Sequence, residues 1–235
     1  MKPVVLVTGA ARGIGRAIAE ELVADYFVAI TYLTAAEEAK EFALKYPDAL
    51  VLQSDLSKVS AETVIDKIVR RFGRFDGLVN NAGAVTSTPL EDFDAEAALH
   101  VMQVNAVVPL ALAAAASRHM KSGGCIVNIS SVNAKFPPAT APAYAASKAA
   151  LNSITQAAAK ALGPQGIRVN AVAPGAIERD HAPRSEELIG LFVKDTALGH
   201  LARDDEVART VRFLLSDAAS GITGEILAVS AGYRL

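Results

Sequence analysis

The sequence predicts an α/β fold, a single Rossmann-type doubly wound parallel sheet of about seven strands flanked by helices. Three observations predict it. Short unbroken runs of Val, Ile and Leu alternate with longer Ala-rich stretches of helical character, and such unbroken runs mark strands buried on both faces. Strand-then-helix order requires right-handed crossovers and so parallel neighbours. A Gly-rich turn, Thr8-Gly9-Ala10-Ala11-Arg12-Gly13-Ile14-Gly15, closes the first strand and opens the first helix.

Taken in order, residues 3–8 read as strand and 14–24 as helix. Residues 27–32 follow as strand and 35–46 as helix, then 50–54 as strand and 61–72 as helix. A short strand at 78–80 precedes one long helix from about 94 to 119. Strand 125–130 and helix 144–162 come next, then strand 167–172. Helices near 185–194 and 205–215 and a last strand at 225–229 complete the set. The least regular stretch is 174–203, which carries Gly175, Pro183, Gly190 and Gly199 and suits a mobile cover over a site. The 235 residues contain no internal repeat, charge block or Gly/Ser-rich linker, so one domain is expected.

Composition excludes several function classes. Lys plus Arg number 23 against 25 Asp plus Glu, a formal charge of −2 without the basic face that nucleic acid demands. Tryptophan is absent and aromatics are 6%, which disfavours stacking on single strands. Cys125 is the sole cysteine, so no internal disulfide can form and no Cys-based zinc site exists, and a cytoplasmic setting is expected. The longest apolar run, 106–116, has 11 residues including Pro109, too few for a membrane span. The apolar start 1–7 runs straight into Thr8-Gly9, as a strand does and a leader does not.

The Gly-rich turn stands where a phosphate site belongs. Glycines let the backbone turn tightly and approach a pyrophosphate, and the helix start offers unpaired N–H groups to the anion. The spacing is Gly-x-x-x-Gly-x-Gly, so an ordinary strand-to-helix turn is the competing reading. The second strand ends Thr31-Tyr32-Leu33-Thr34, with no acid before Glu37 to bind a ribose 2′-hydroxyl. Arg12 could instead meet a 2′-phosphate, which favours NADP(H) over NAD(H), or could be a solvated residue at the helix start.

Tyr144-Ala145-Ala146-Ser147-Lys148 opens a helix, and positions four apart share a face. A phenol ordinarily ionises near pH ~10, too high for proton transfer at neutrality. A neighbouring cation favours the phenolate, so the pair could act as a general acid or base, or be a mere surface pair.

The combination of motifs resembles the short-chain dehydrogenase/reductase family over nearly the whole chain. Gly9, Gly13 and Gly15, with Ile14, match its cofactor turn. Asp55-Leu56 matches its adenine-contacting acidic position, and Asn80-Asn81-Ala82-Gly83 its Asn-Asn-Ala-Gly signature, which supports the sheet and lines the cofactor. Asn105 matches its helix asparagine, and Ser131, 13 positions before Tyr144, its catalytic serine. Pro174-Gly175, with Ile177, matches the turn beside the nicotinamide. The resemblance implies that Tyr144 exchanges the proton of a carbonyl/alcohol pair while Ser131 orients the oxygen. It implies that Lys148 binds the nicotinamide ribose and lowers the phenol pKa, and that Asn105 holds a water linking Lys148 to solvent. Tyr32 and the compact length look most like 3-oxoacyl-acyl-carrier-protein reductases. Sugars, polyols and cyclic ketones stay open as substrates, and a non-catalytic NADP(H) sensor is the rival from another class. A nucleotide-sugar epimerase or dehydratase, which also uses a Tyr–Lys pair, would need a longer substrate region.

Two positions depart from the family pattern. Glu178-Arg179 replaces the threonine expected after Ile177, and Arg179 could meet an anionic group. Ser230-Ala231-Gly232 replaces Asp-Gly-Gly, which weakens the expectation of the usual homotetramer; a homotetramer or homodimer is expected. None of the four histidines shows metal-ligand spacing, and His100, His119 and His200 read as solvated, while His181 lies where it could touch substrate. Ser130 reads as packing near the cofactor and Cys125 as core. Phe192 could wall a pocket or simply anchor its helix. Arg118, Lys121 and Lys160 could dock an acyl carrier protein, though scattered solvated charges are the simpler reading.

Overall fold

The computed structural model describes residues 2–177 and 185–234. Seven strands form one sheet: β1 (Val4–Val7), β2 (Phe27–Tyr32), β3 (Leu50–Gln53), β4 (Gly77–Asn80), β5 (Cys125–Ile129), β6 (Arg168–Pro174) and β7 (Ile226–Val229). Their order is β3-β2-β1-β4-β5-β6-β7, and every neighbouring pair is parallel. The Rossmann-type doubly wound sheet expected from the sequence is therefore present. Chain order reverses between β1 and β4, which opens a crevice at the strands' carboxyl ends.

The helices are α1 (Gly13–Leu22), α2 (Ala36–Lys45), α3 (Ala61–Phe72), α4 (Ala95–Met102), α5 (Val108–Ser117), α6 (Pro142–Leu162), α7 (Glu186–Lys194) and α8 (Asp204–Leu215). They cover both sheet faces. Ile18 and Leu22 of α1, Phe42 of α2 and Val207, Val211 and Leu214 of α8 pack on one face. Val64, Ile65 and Ile68 of α3, Leu112 and Ala116 of α5 and Ala159 of α6 pack on the other. The central strands are largely apolar because water reaches neither side; β1 and β4 are buried at every position, while the edge strands β3 and β7 are partly exposed. Cys125 lies in this core, and burial pushes its thiol up to about 11.

The structure corrects the sequence reading in one place. The helix expected over 94–119 is divided into α4 and α5 by a π-helical turn, Gln103–Val107, and Asn105 sits at its centre, fully buried. An Ala- and Val-rich background hides such a turn, because the apolar pattern continues through it; π turns of this kind collect at functional sites. The same stretch, Ala95–Ser117, is 23 residues long with a mean hydropathy of 1.6, so by length and composition it could cross a membrane. In the fold its apolar side is spent on α3, α6 and the sheet, while Leu99, Val107 and Leu110 are exposed.

A buried polar thread ties α6 to the sheet centre. Asn80 Nδ2 donates to Asn128 Oδ1 (2.9 Å), Asn128 Nδ2 to Thr155 Oγ1 (2.9 Å), and Thr155 Oγ1 to the Leu151 carbonyl (2.8 Å). Each bond is made away from competing water, which fixes α6 in rotation as well as position.

Candidate active site

One cleft of about 510 Å³ runs along the carboxyl ends of the strands. Its lining includes, from the sequence-derived set, Gly9, Arg12, Gly13, Ile14, Gly15, Tyr32, Asp55, Leu56, Asn81, Ala82 and Gly83. Ser131, Tyr144, Lys148, Pro174, Gly175 and Ile177 line it too. Asn105 stands behind the wall, and Glu178, Arg179 and His181 lie outside the described residues.

The Gly-rich turn is locked from below. Thr8 Oγ1 accepts from the amides of Asn81 and Ala82 (both 3.0 Å), and Asn81 Nδ2 donates to the carbonyls of Thr8 (2.9 Å) and Gly9 (3.0 Å). Gly9 N donates to Thr31 Oγ1 (3.2 Å). Thr8 and Thr31 are supports that the sequence reading did not single out. Gly9 and Gly13 adopt φ of +62° and +59°, where a side chain is strained. A Cβ on Gly15 would fall 2.6 Å from the Gly9 carbonyl oxygen and overlap the Asn81 amide. The turn thus has space for nothing but backbone.

The fold implies a nicotinamide dinucleotide, and the cleft fits one. Helix α1 starts at Gly13 with no side-chain cap, so its first amides are free for a phosphate. Ser54 Oγ is buried without a partner beside Asp55, at the far end of the cleft. Two bonds from Ser57 (2.6 and 3.1 Å) and Lys58 at 3.3 Å hold the Asp55 carboxyl below the usual carboxylate range, with the Ser57 hydroxyl the largest cause. Where β2 ends, the lining is Thr31, Tyr32, Leu33, Thr34 and Ala35, with Arg12 across from them and no carboxylate among these residues.

The reactive end is built on β5 and α6. Pro142 starts α6 with its fixed φ and missing donor suited to that place, so Tyr144 and Lys148 follow one turn apart on one face. Lys148 Nζ lies 5.8 Å from the Tyr144 ring centroid and donates to the Ile129 carbonyl (2.8 Å). Burial lowers Lys148 to about 8, with no carboxylate among the described residues to offset it. Ser131, two residues past β5, is extended and caps the turn Val132–Ala134, accepting from Asn133 N (3.1 Å). Ser130 donates to Asn152 Oδ1 (2.6 Å) on α6 while bordering the same cleft.

Asn105 ties two parts of the site together. Its Nδ2 donates to the Ala84 carbonyl (2.8 Å) and Ser147 Oγ (2.9 Å), and its Oδ1 accepts from Ala84 N (2.8 Å). The side chain joins the 80–84 segment to α6. Ser147 completes the link by donating to the Tyr144 carbonyl (2.7 Å). Nothing in the sequence marked Ser147 beyond its place between Tyr144 and Lys148. His100, read as solvated, is exposed but borders the cleft.

Gly175 closes the far wall. Its amide donates to the Val229 carbonyl (2.9 Å), and a Cβ there would fall 2.8 Å from that of Ser230. The departure at Ala231 also has a structural meaning. Ala231 takes φ +53°, the region in which glycine is at ease, so the backbone shape is kept without the glycine.

A Gly-rich turn, a Ser/Tyr/Lys group and a topological switch point in one cleft define a class, the dinucleotide-binding oxidoreductases. A family model described as enoyl-(acyl carrier protein) reductase matches residues 9–234. The chain is 37% identical over 239 residues to a cis-4-hydroxycyclohexanecarboxylate dehydrogenase of Sinomonas cyclohexanicum, covering 98% of this chain and 96% of that protein. It is 35% identical to a 3-oxoacyl-acyl-carrier-protein reductase of Staphylococcus aureus, with 97% and 96% covered. A short-chain dehydrogenase of Burkholderia cenocepacia, solved in complex with NADP, superposes with a TM-score of 0.92 at 35% identity, covering 98% and 97%. The chain belongs to the short-chain dehydrogenase/reductase family, whose members are oxidoreductases acting on the CH–OH group.

Proposed function

We propose that the protein is an NADP(H)-preferring oxidoreductase that interconverts a carbonyl and a secondary alcohol, with Tyr144 as proton donor and acceptor. The observation that carries this reading is the single cleft that joins the Gly9–Gly15 turn to Ser131, Tyr144 and Lys148. Bound nicotinamide supplies or takes the hydride. The Ser131 hydroxyl donates to the substrate oxygen and orients it. Tyr144 passes its phenolic proton to that oxygen in reduction and recovers it in oxidation. The Lys148 ammonium, anchored on Ile129, holds the cofactor ribose and favours the negative charge left on the phenol. Asn105 and Ser147 keep α6 against the 80–84 segment, so they position Tyr144 and Lys148. Gly9, Gly13, Ile14 and Gly15 take the pyrophosphate, Asp55 and Leu56 the adenine, and Asn81, Ala82, Gly83, Pro174, Gly175 and Ile177 the nicotinamide half.

The preference for NADP(H) over NAD(H) rests on Arg12, opposite a β2 end without a carboxylate, and the Burkholderia structure with NADP supports it. The substrate class drawn from the relatives is a 3-oxoacyl thioester or a cyclic ketone. The chain is read as one domain with 174–203 as its substrate cover. The exposed Leu99, Val107 and Leu110 on α4–α5 favour a homo-oligomer, dimer or tetramer, and one buried thiol suits the cytoplasm. Of the cations considered for an acyl carrier protein, Arg118 is paired with Glu62 (3.3 Å), which favours the reading of solvated surface charges.

The test is cofactor oxidation with NADPH and NADH across 3-oxoacyl thioesters, cyclic ketones, sugars and diketones. Turnover on one class with NADPH preferred is the expected result. Arg12→Ala weakens NADPH on the order of tenfold and leaves NADH nearly unchanged, since a single charge-assisted fork to phosphate is lost. Cofactor binding without turnover in either direction would instead indicate the NADP(H) sensor.

A further inference from the structure

Helix α6 carries both Tyr144 and Lys148, yet it begins without a cap of its own. Ser60 caps α3, Asp94 caps α4 and Ser185 caps α7, each by accepting from an amide three residues on. Such a cap satisfies an amide that the first turn of a helix leaves over. Before α6 the same place is held by Ala141, which offers no side-chain acceptor, and Thr140 stands one residue too early. Pro142 has no amide to satisfy, so the first that needs a partner is that of Ala143, directly before Tyr144.

That partner comes from 55 residues away. Thr88 Oγ1 accepts from Ala143 N (3.3 Å). The Thr88 amide donates to the Thr140 carbonyl (2.9 Å), and Ser87 Oγ donates to the same carbonyl (3.0 Å). Thr88 is a polar residue with no exposure at all. Pro89 follows it and disfavours a helical backbone at that point.

The other end of this short segment is fastened as well. Ala84 is bonded to Asn105 through both its amide and its carbonyl, and Asn105 in turn donates to Ser147 Oγ of α6. Residues 84–88 therefore hold α6 at Ala143 directly and at Ser147 through Asn105, and Tyr144 lies on the turn between. The same stretch of chain includes Ala82, Gly83, Ala84 and Val85, which line the cleft. One segment thus forms the cleft wall and anchors the turn from which the phenol projects. The gap between those two sets how hydride and proton transfer are aligned, and a misplacement of about 1 Å is enough to slow such chemistry about 10²-fold.

We propose that Thr88 is a positioning residue for the reaction: its hydroxyl caps α6 from outside the helix and so fixes the turn bearing Tyr144 against the cleft-lining segment 82–85. This rests on the oxidoreductase reading above. Thr88 touches neither substrate nor cofactor and acts only through the start of α6.

The experiment compares Thr88→Val, Thr88→Ser, Ser87→Ala, Ser60→Ala and Tyr144→Phe with the unmodified protein. NADPH is held at saturation, and the ketone is whichever of cyclohexanone, butane-2,3-dione and a 3-oxoacyl thioester the unmodified protein reduces fastest. Thr88→Val keeps shape and burial but removes the acceptor. It lowers kcat about 10- to 100-fold, while KM for the ketone and Kd for NADPH stay within about twofold. Thr88→Ser restores kcat, because the cap needs the hydroxyl and not the methyl. Ser60→Ala removes a cap of the same kind from α3, which carries no site residue. Its Tm falls by about 2–6 °C, as does that of Thr88→Val, but its kcat is unchanged. Ser87→Ala, an exposed change that leaves folding intact, loosens the segment by one bond and lowers kcat about threefold.

A kcat within twofold of the parent in Thr88→Val overturns the proposal, as does a Thr88→Ser protein as slow as Thr88→Val. Equal loss of kcat in Ser60→Ala overturns it too, since any lost cap would then do the same. Where Thr88→Val does not fold, an unchanged kcat in Ser87→Ala overturns it. Loss of activity in Tyr144→Phe with none in Thr88→Val overturns the role of Thr88 alone. A Tyr144→Phe protein as active as its parent, or an unmodified protein that turns over no carbonyl or alcohol, overturns the enzyme reading and this proposal together.

Discussion

Replacing Lys148 by methionine stabilises the cofactor-free protein at neutral pH while destroying its activity. Lys148 is 5% exposed, and burial alone lowers it from 10.5 to about 8. At pH 7 the folded protein holds the ammonium in a place that resists charge, and the gap between those two values corresponds to about 3 kcal/mol. Methionine removes that cost and fills nearly the same volume. It also deprives the Ile129 carbonyl of its 2.8 Å donor, a loss of about 1 kcal/mol. The net gain is about 2 kcal/mol, or a rise in Tm of about 4–8 °C for a chain of this size. The sign of the pH dependence follows from the depressed value. Between about pH 8 and 10.5 the unfolded chain binds more protons than the folded one, so the stability of the unmodified protein rises across that window. The advantage of Lys148→Met is therefore full below pH 8, and by 10.5 it has turned into a deficit of about 1 kcal/mol, that of the lost bond to Ile129. Urea unfolding at pH 6 to 11, with cofactor omitted, measures it. A variant less stable than its parent at pH 7, or a difference that does not shrink between pH 8 and 10.5, refutes the reasoning.

Other consequences are as direct. Tyr144→Phe lowers kcat by about 10²–10⁴ while NADPH affinity, read by fluorescence titration, stays close to the parent value. Gly15→Ala drives a methyl group into the Gly9 carbonyl and the Asn81 amide; it costs about 1–3 kcal/mol of stability in thermal unfolding and weakens cofactor binding more than tenfold, about 1.4 kcal/mol or more. Cys125, buried and pushed up to about 11, reacts with a thiol reagent only as fast as the protein unfolds, so adding urea below the midpoint accelerates labelling in step with unfolding.

The parts of this fold that depend on neighbours in sequence were legible before any coordinates. Runs such as Val4–Val7 announce a strand because every side chain is apolar, and the glycine spacing from Gly9 to Gly15 announces a turn that admits only backbone. Tyr144 and Lys148 share a face because of helical periodicity. The parts that depend on distant segments were not legible. The π turn at Asn105 exists because that side chain must reach Ala84 and Ser147, 21 and 42 residues away, and local pattern carries no trace of such a demand. The pairing of 231–234 with 195–198 is likewise written across many residues.

The strand order also governs how this chain matures on the ribosome. β1 is made first yet lies between β2 and β4. Until Gly77–Asn80 emerge, one backbone edge of Val4–Val7 has no neighbour, and every side chain on that strand is apolar. Such an edge is the template on which nascent chains stick to one another. The phosphate turn is equally unfinished at that stage, because Thr8 waits for the amides of Asn81 and Ala82. A half-made chain therefore cannot be rescued by its own cofactor, and the early protection of β1 falls to chaperones or to the speed with which residues 33–76 are completed.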